Sequence, residues 1–221
     1  MGRNTEKDTE SLVNSKRSAS KEMRRAQLIK ATIKCVAQKG LSSITMADIT
    51  KEAGLSLGIV NLHFQSKDKL LVETLRYMSE EYGESVHRAL ATEGGPAAKL
   101  TALMEMDFSA KVCQRNKLAV WFAFWGESKS RPIYQSLCAK IDEDANASVH
   151  TLFQQLDKDG DYQHIDPDNF ASVWNALTEG LWLDILISPN EMTREKAKAI
   201  CQGYLASIFP RHFERPRKTK N

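Results

Sequence analysis

The stretch from Thr45 to Phe64 limits the fold more than any other part of the chain. Thr45 and Asp48 stand three residues apart, the spacing of a capping box, and predict a helix that starts after Ile44. Eight residues later comes Gly54, which can take the positive φ of a sharp turn, and Ser56 is placed to cap a second helix. Ile49, Ala53, Leu55, Val60 and Phe64 are spaced to pack the two helices against each other and against a preceding helix. Leu57, Gly58, Ile59 and Asn61 then remain on the outer face. The whole is a helix, a glycine turn and a helix over 45–64.

Elsewhere apolar residues recur three and four apart, with no sustained alternation of the strand type, so an all-α fold is expected. A first helix is predicted from about Lys21 to Gln38, with Ile29, Ile33, Val36 and Ala37 on one face and Gly40 at its C-terminal end. Gly94-Gly95-Pro96, Arg131-Pro132, Gly160 to Pro167 and Ser188-Pro189-Asn190 punctuate the remainder into several helices. A last helix is expected over about Thr193 to Ile208. Residues 1–20 and 214–221 lack periodicity and are expected to be a disordered tail and a basic tail. Between them the pattern divides the chain into a small front domain, 21–70, and a larger helical domain, 71–213.

The net charge of +3 conceals a division. Residues 1–70 hold 13 Lys/Arg against 7 Asp/Glu, while residues 71–210 hold 13 against 20. A basic front end suits a polyanion, because each Lys or Arg near a phosphate releases condensed counterions. A solvated surface with chance asymmetry gives the same count. The outer face of the second helix in such a unit is what enters the major groove of double-stranded DNA. There Asn61 can pair with adenine, and Leu57 and Ile59 can touch thymine methyls, while Gly58 permits close approach. Thr45, Lys67 and the Lys21, Arg24, Arg25 cluster are placed to meet phosphates, and Ser56 and His63 complete the candidate DNA-contacting set. The alternative is an ordinary helical hairpin whose outward apolar residues meet another protein.

The block from about Arg24 to Leu71, with Gly54-Leu55-Ser56-Leu57-Gly58 and the junction His63-Phe64-Gln65-Ser66-Lys67-Asp68-Lys69-Leu70-Leu71, resembles the DNA-binding domain of the tetracycline-repressor (TetR) family. The resemblance implies a dimer whose N-terminal three-helix domain binds an operator. It also implies a helical C-terminal domain that binds an inducer and supplies a four-helix dimer interface. One departure is Asn61, where many members carry a Tyr that touches the phosphate backbone.

All four tryptophans fall in the larger domain, in Trp121-Phe122-Ala123-Phe124-Trp125 and around Trp174 and Trp182. On a helix Trp121, Phe124 and Trp125 share a face. Facing rings can cage a quaternary ammonium, each contributing on the order of 0.5 to 2 kcal/mol. Asp107, Glu179 and Asp184 are the candidate carboxylates to complete such a site. Large rings also fill cores, and that reading stays open from the residues alone. The segments Leu118 to Gln135 and Ala176 to Leu183 are similar to the betaine-synthesis repressor subgroup. That similarity implies choline or another quaternary amine as ligand and choline uptake or glycine betaine synthesis genes as targets. An uncharged hydrophobic ligand is the nearest competing expectation.

Other signals are weaker. Asp157-Lys158-Asp159-Gly160-Asp161 begins like a calcium loop, but Tyr162 stands where such a loop needs glycine. Cys35, Cys113, Cys138 and Cys201 are scattered and read as buried free thiols. The histidines show no paired zinc spacing, and no phosphate loop, dinucleotide fingerprint or catalytic motif is present. No metal, cofactor or catalysis is therefore expected, although a helical enzyme or a protein adaptor would share the same periodicity. With no secretory leader and no apolar run that could span a bilayer, the expected location is the cytoplasm, without membrane association.

Overall fold

The computed structural model describes residues 4–162 and 166–216. Among these the elements are α1 (Asn4–Lys39), α2 (Met46–Ala53), α3 (Leu57–Phe64), α4 (Lys67–Leu90), α5 (Pro96–Asp107), α6 (Arg115–Glu127), α7 (Pro132–Gly160), α8 (Pro167–Ile187) and α9 (Arg194–Ile208), with no strand. Contacts divide the chain within α4, into residues 1–77 and 78–221. That division lies several residues beyond the 70/71 boundary expected from the sequence, because α4 runs on without a break.

In the first unit Leu28, Ile29, Val36, Leu41, Ile44, Ile49, Val60, Phe64, Leu70, Leu71 and Leu75 are buried together. α1 begins at Asn4, well before the helix expected from Lys21, so the part of the 1–20 tail that is described is helical. No Pro or Gly stands between Gly2 and Gly40, so nothing interrupts the hydrogen-bond ladder once the helix is nucleated; apolar periodicity is not needed for that. α2 starts as the capping box predicts. Asp48 N–H donates to Thr45 Oγ1 (3.2 Å) and Thr45 N–H to Asp48 Oδ2 (2.9 Å). The Lys39 ammonium, 2.5 Å away, and the Thr45 donors hold the Asp48 carboxyl down at about 2. Gly54 takes φ 63 and donates back to the carbonyls of Lys51 and Thr50. Leu55 is half-buried rather than enclosed.

The second unit packs α8 against α6, α7 and α9, with α5 against α7 and α9. Its core includes Phe108, Phe153, Trp174, Leu181, Leu205 and Phe209. α7 ends at Gly160, where a side chain would overlap the Tyr162 ring, and Tyr162 turns inward against Phe209. The would-be calcium loop is thus the last turn of α7 followed by a buried aromatic. α9 starts at a Thr193 N-cap that accepts from Lys196 N–H, close to the expected bound. All four cysteines are buried thiols outside any disulfide. Burial pushes the Cys113 thiol up to about 11 and the Cys201 thiol to about 12.

Candidate DNA-reading helix and aromatic pocket

In the first unit, α3 buries Val60 and Phe64 and turns Leu57, Gly58, Asn61 and Leu62 to solvent, while Ile59 and His63 are half-buried. Leu62 is 75% exposed, the most exposed large apolar side chain among the described residues, and was not among the residues expected on the outer face. The spacing that marks Val60 and Phe64 as inward also puts Leu62 on the opposite side, so the signal was present. Ser56 occupies the N-cap position, but its hydroxyl makes no capping bond. Only its carbonyl serves the helix, accepting from Ile59 N–H at 3.0 Å. A Cβ built on Gly58 would meet nothing nearer than Ser56 Oγ at 3.9 Å, so packing does not require glycine there.

Two of the expected phosphate contacts are engaged inside the unit. Arg25 pairs with Glu73, and its guanidinium lies 4.7 Å from the centre of the Phe64 ring. Lys67 Nζ donates to the Ile44 carbonyl at 2.6 Å, tying the start of α4 to the loop before α2. Both contacts tie α4 to the helices before it, since Arg25 lies on α1 and Ile44 precedes α2. Lys21, Arg24 and Thr45 remain exposed. His63 Nδ1 is buried without a hydrogen-bond partner. Burial, together with the charges of Lys21, Arg24 and Arg25, lowers the His63 pKa below its ordinary value.

In the second unit, Tyr82, Asp107, Trp121, Trp125, Ile141, Ala145, Asn175, Thr178, Glu179 and Trp182 line a partly open pocket of about 40 Å³. Helical spacing brings each contribution. Trp121 and Trp125 are one turn apart on α6, their rings tilted by 34° with centres 6.1 Å apart. Asn175, Thr178, Glu179 and Trp182 follow the three-and-four spacing of one face of α8. Tyr82 meets the Trp182 ring edge-on at 5.9 Å. Asp107, the last residue of α5, is 4% exposed and accepts a hydrogen bond from Tyr82 OH at 2.9 Å. Its main-chain carbonyl accepts from Trp182 Nε1 at 3.1 Å. Burial raises the Asp107 carboxyl to about 7, against the smaller opposing effect of the Tyr82 hydroxyl. A buried carboxyl in an aromatic box is stabilised in its charged form by a cation as well as by the Tyr82 hydroxyl.

Five of the eight residues expected from the sequence therefore meet: Trp121, Trp125, Trp182, Asp107 and Glu179. Phe124 and Trp174 do not line the pocket. Phe124 is fully buried with its ring edge-on to Tyr134 at 5.0 Å, and Trp174 packs in the core beside Tyr204. Asp184 is exposed, since Trp182 and Ile185 take the inward positions around it on α8. Tyr82, Asn175 and Thr178 were not foreseen. Among the described residues no group of three His, Cys, Asp or Glu side chains could hold a metal ion, and no helix is long and apolar enough to cross a membrane.

Residues 28–74 match the family model described as bacterial regulatory proteins, tetR family, and residues 96–210 match the BetI-type transcriptional repressor C-terminal domain. The chain belongs to the TetR family, with a BetI-type C-terminal half. It is 30% identical to the HTH-type transcriptional regulator BetI of Paraburkholderia phytofirmans over 86% of this chain and 95% of that one. The BetI regulator of Stenotrophomonas maltophilia is 31% identical, over 83% and 91%. Among solved structures, a putative transcriptional regulator from Pseudomonas aeruginosa PAO1 aligns with a TM-score of 0.76 and 28% identity, covering 87% of this chain and 95% of that one. A putative transcriptional regulator from Saccharomonospora viridis, in complex with choline, aligns with a TM-score of 0.76 and 21% identity over 83% and 96%. The helix-turn-helix and the all-α architecture expected from the sequence are those of this family.

Proposed function

We propose that the protein is a cytoplasmic homodimeric repressor that binds a palindromic operator and releases it when choline or another quaternary amine enters the aromatic pocket. Its targets are genes of choline uptake or glycine betaine synthesis. The observation that carries the reading is the joining of the Trp121, Trp125, Trp182 and Tyr82 rings to the buried Asp107 carboxyl. The rings offer their faces to a trimethylammonium group, Asp107 supplies the counter-charge, and Glu179 adds a second carboxylate. Choline in the Saccharomonospora viridis protein supports the ligand class.

On the DNA side, Leu57, Gly58, Ile59 and Asn61 read base edges, while Lys21, Arg24, Thr45, Ser56 and His63 meet phosphates. Dimerisation uses α8 and α9. Val173, Ala176, Gly180, Leu183 and Ile187 are exposed along α8 in alternating steps of three and four, the spacing of a helix-packing seam. Two reading heads in one dimer must stand about 34 to 36 Å apart, so a ligand that favours another spacing weakens both half-site contacts. Tenfold to hundredfold release requires about 1.4 to 2.8 kcal/mol of preference for the non-binding state, within reach of a few cation-π contacts.

Titration of the protein with choline, followed by tryptophan fluorescence and by operator retention, tests the reading. A saturable signal with loss of retention is the expected result; no saturable change at millimolar choline refutes the ligand. The pH dependence is specific to Asp107. Binding a cation requires the ionised carboxylate, so affinity should be full above pH 7 and fall about tenfold per unit below it. Affinity that does not change between pH 5.5 and 8.5 would remove Asp107 from the site.

Gly58 gives a second prediction. Gly58→Ala should raise the intrinsic stability of α3 by up to about 1 kcal/mol, since helix propensity improves and nothing obstructs the methyl. Operator affinity should nevertheless drop several-fold, because the methyl stands between the backbone and the groove. Thermal melting and DNA retention on one preparation check both halves, and unchanged retention would place Gly58 away from the DNA.

A further inference from the structure

The centre of the reading face is a leucine. At about 100° per residue, the buried Val60 and Phe64 lie on one side of α3 and Leu62 points about 180° away from their mean direction. Gly58, one turn earlier, leaves space beside it. The outward arc of Leu62, Gly58 and Ile59 therefore carries no side chain that can donate or accept a hydrogen bond, and Asn61 stands on its flank. Leu62 is 75% exposed and Leu57 52% exposed, in a unit where Leu28, Leu70, Leu71 and Leu75 are buried.

We infer that Leu62 is a specificity-determining residue that reads thymine methyl groups at the centre of each operator half-site, an inference that rests on the operator-binding reading above. A guanine is recognised best by a bidentate Arg or Lys, which this arc lacks, whereas the apolar feature of the major groove is the thymine C5 methyl. Charge complementarity favours DNA as the occupant over an apolar protein surface. The cations of Lys21, Arg24 and Arg25 act electrostatically on His63, next in the chain to Leu62, and residues 1–70 carry a net charge of +6. An exposed leucine on the basic unit suits a methyl-bearing polyanion.

The test begins with selection of binding sites from a random duplex pool by the full chain. The selected operator is then remade with deoxyuridine at individual thymine positions, which deletes one methyl and keeps every hydrogen bond. A·T pairs should be fixed at the half-site centre, and one uridine there should weaken binding about fourfold. Leu62→Ala, at an exposed position that leaves packing intact, should bind the thymine and uridine operators equally. Indifference of the parent protein to uridine at every position overturns the inference, as does full methyl discrimination by Leu62→Ala, the outcome expected if Leu62 meets a protein instead. Failure to select any sequence refutes operator binding itself, and the inference with it.

Discussion

Asp107→Asn should abolish the response to a quaternary amine and at the same time stabilise the empty protein above neutral pH. The ligand effect follows from charge. The amide keeps the shape and can still accept from Tyr82, but it offers no counter-charge, and a loss of the order of a hundredfold in affinity is expected from removing a buried charge partner. The stability effect follows from the raised pKa. The folded chain holds the Asp107 proton up to about 7, whereas the unfolded chain releases it near 3.8. The folded state therefore binds more protons between those values, and stability falls as pH rises through that window. Above pH 7 the deficit reaches about 4 kcal/mol, and Asn, which never ionises, does not incur it. Melting of the two proteins at pH 8 and pH 4 should show a clear gain for the variant at the higher pH and almost none at the lower. A variant no more stable than its parent at pH 8 would show that the Asp107 carboxyl is solvated.

Such a carboxyl is a cost that folding alone gives no reason to keep, and it separates the legible part of this sequence from the rest. The capping box, Gly54 and the inward spacing of Ile49, Val60 and Phe64 are local, and local rules placed α2 and α3 within a residue. The outward face was read less well. Leu62 was passed over, although its position opposite Val60 and Phe64 follows from the same periodicity. Arg25 and Lys67 look like free cations in the sequence. Their partners, Glu73 and the Ile44 carbonyl, are 48 and 23 residues away, and spacing along one helix says nothing about them. The pocket is built the same way. Asp107 ends α5, Tyr82 lies on α4, Trp121 and Trp125 lie on α6 and Trp182 on α8, so only the tertiary packing brings the five groups together.

Trp125 and Trp174 make that division measurable, because the sequence offers both as ligand residues and the fold uses them differently. Trp174 is 1% exposed in the core beside Tyr204, away from the pocket. Trp174→Ala should cost about 3 to 5 kcal/mol of stability through lost burial and the cavity left behind, while the molecules that remain folded bind choline as before. Trp125 is half-buried, with its ring near Trp121 at the pocket wall and Phe122 against its edge at 5.0 Å. Truncating it removes less packing, so Trp125→Ala should melt closer to the parent. It deletes one face of the cage, however, and choline affinity should fall about 2-fold to 30-fold, the equivalent of one cation-π contact. Denaturant titration and choline binding on both variants decide it. If Trp174→Ala loses affinity at full folding, or Trp125→Ala keeps it, the cation sits elsewhere than between the α6 and α8 rings.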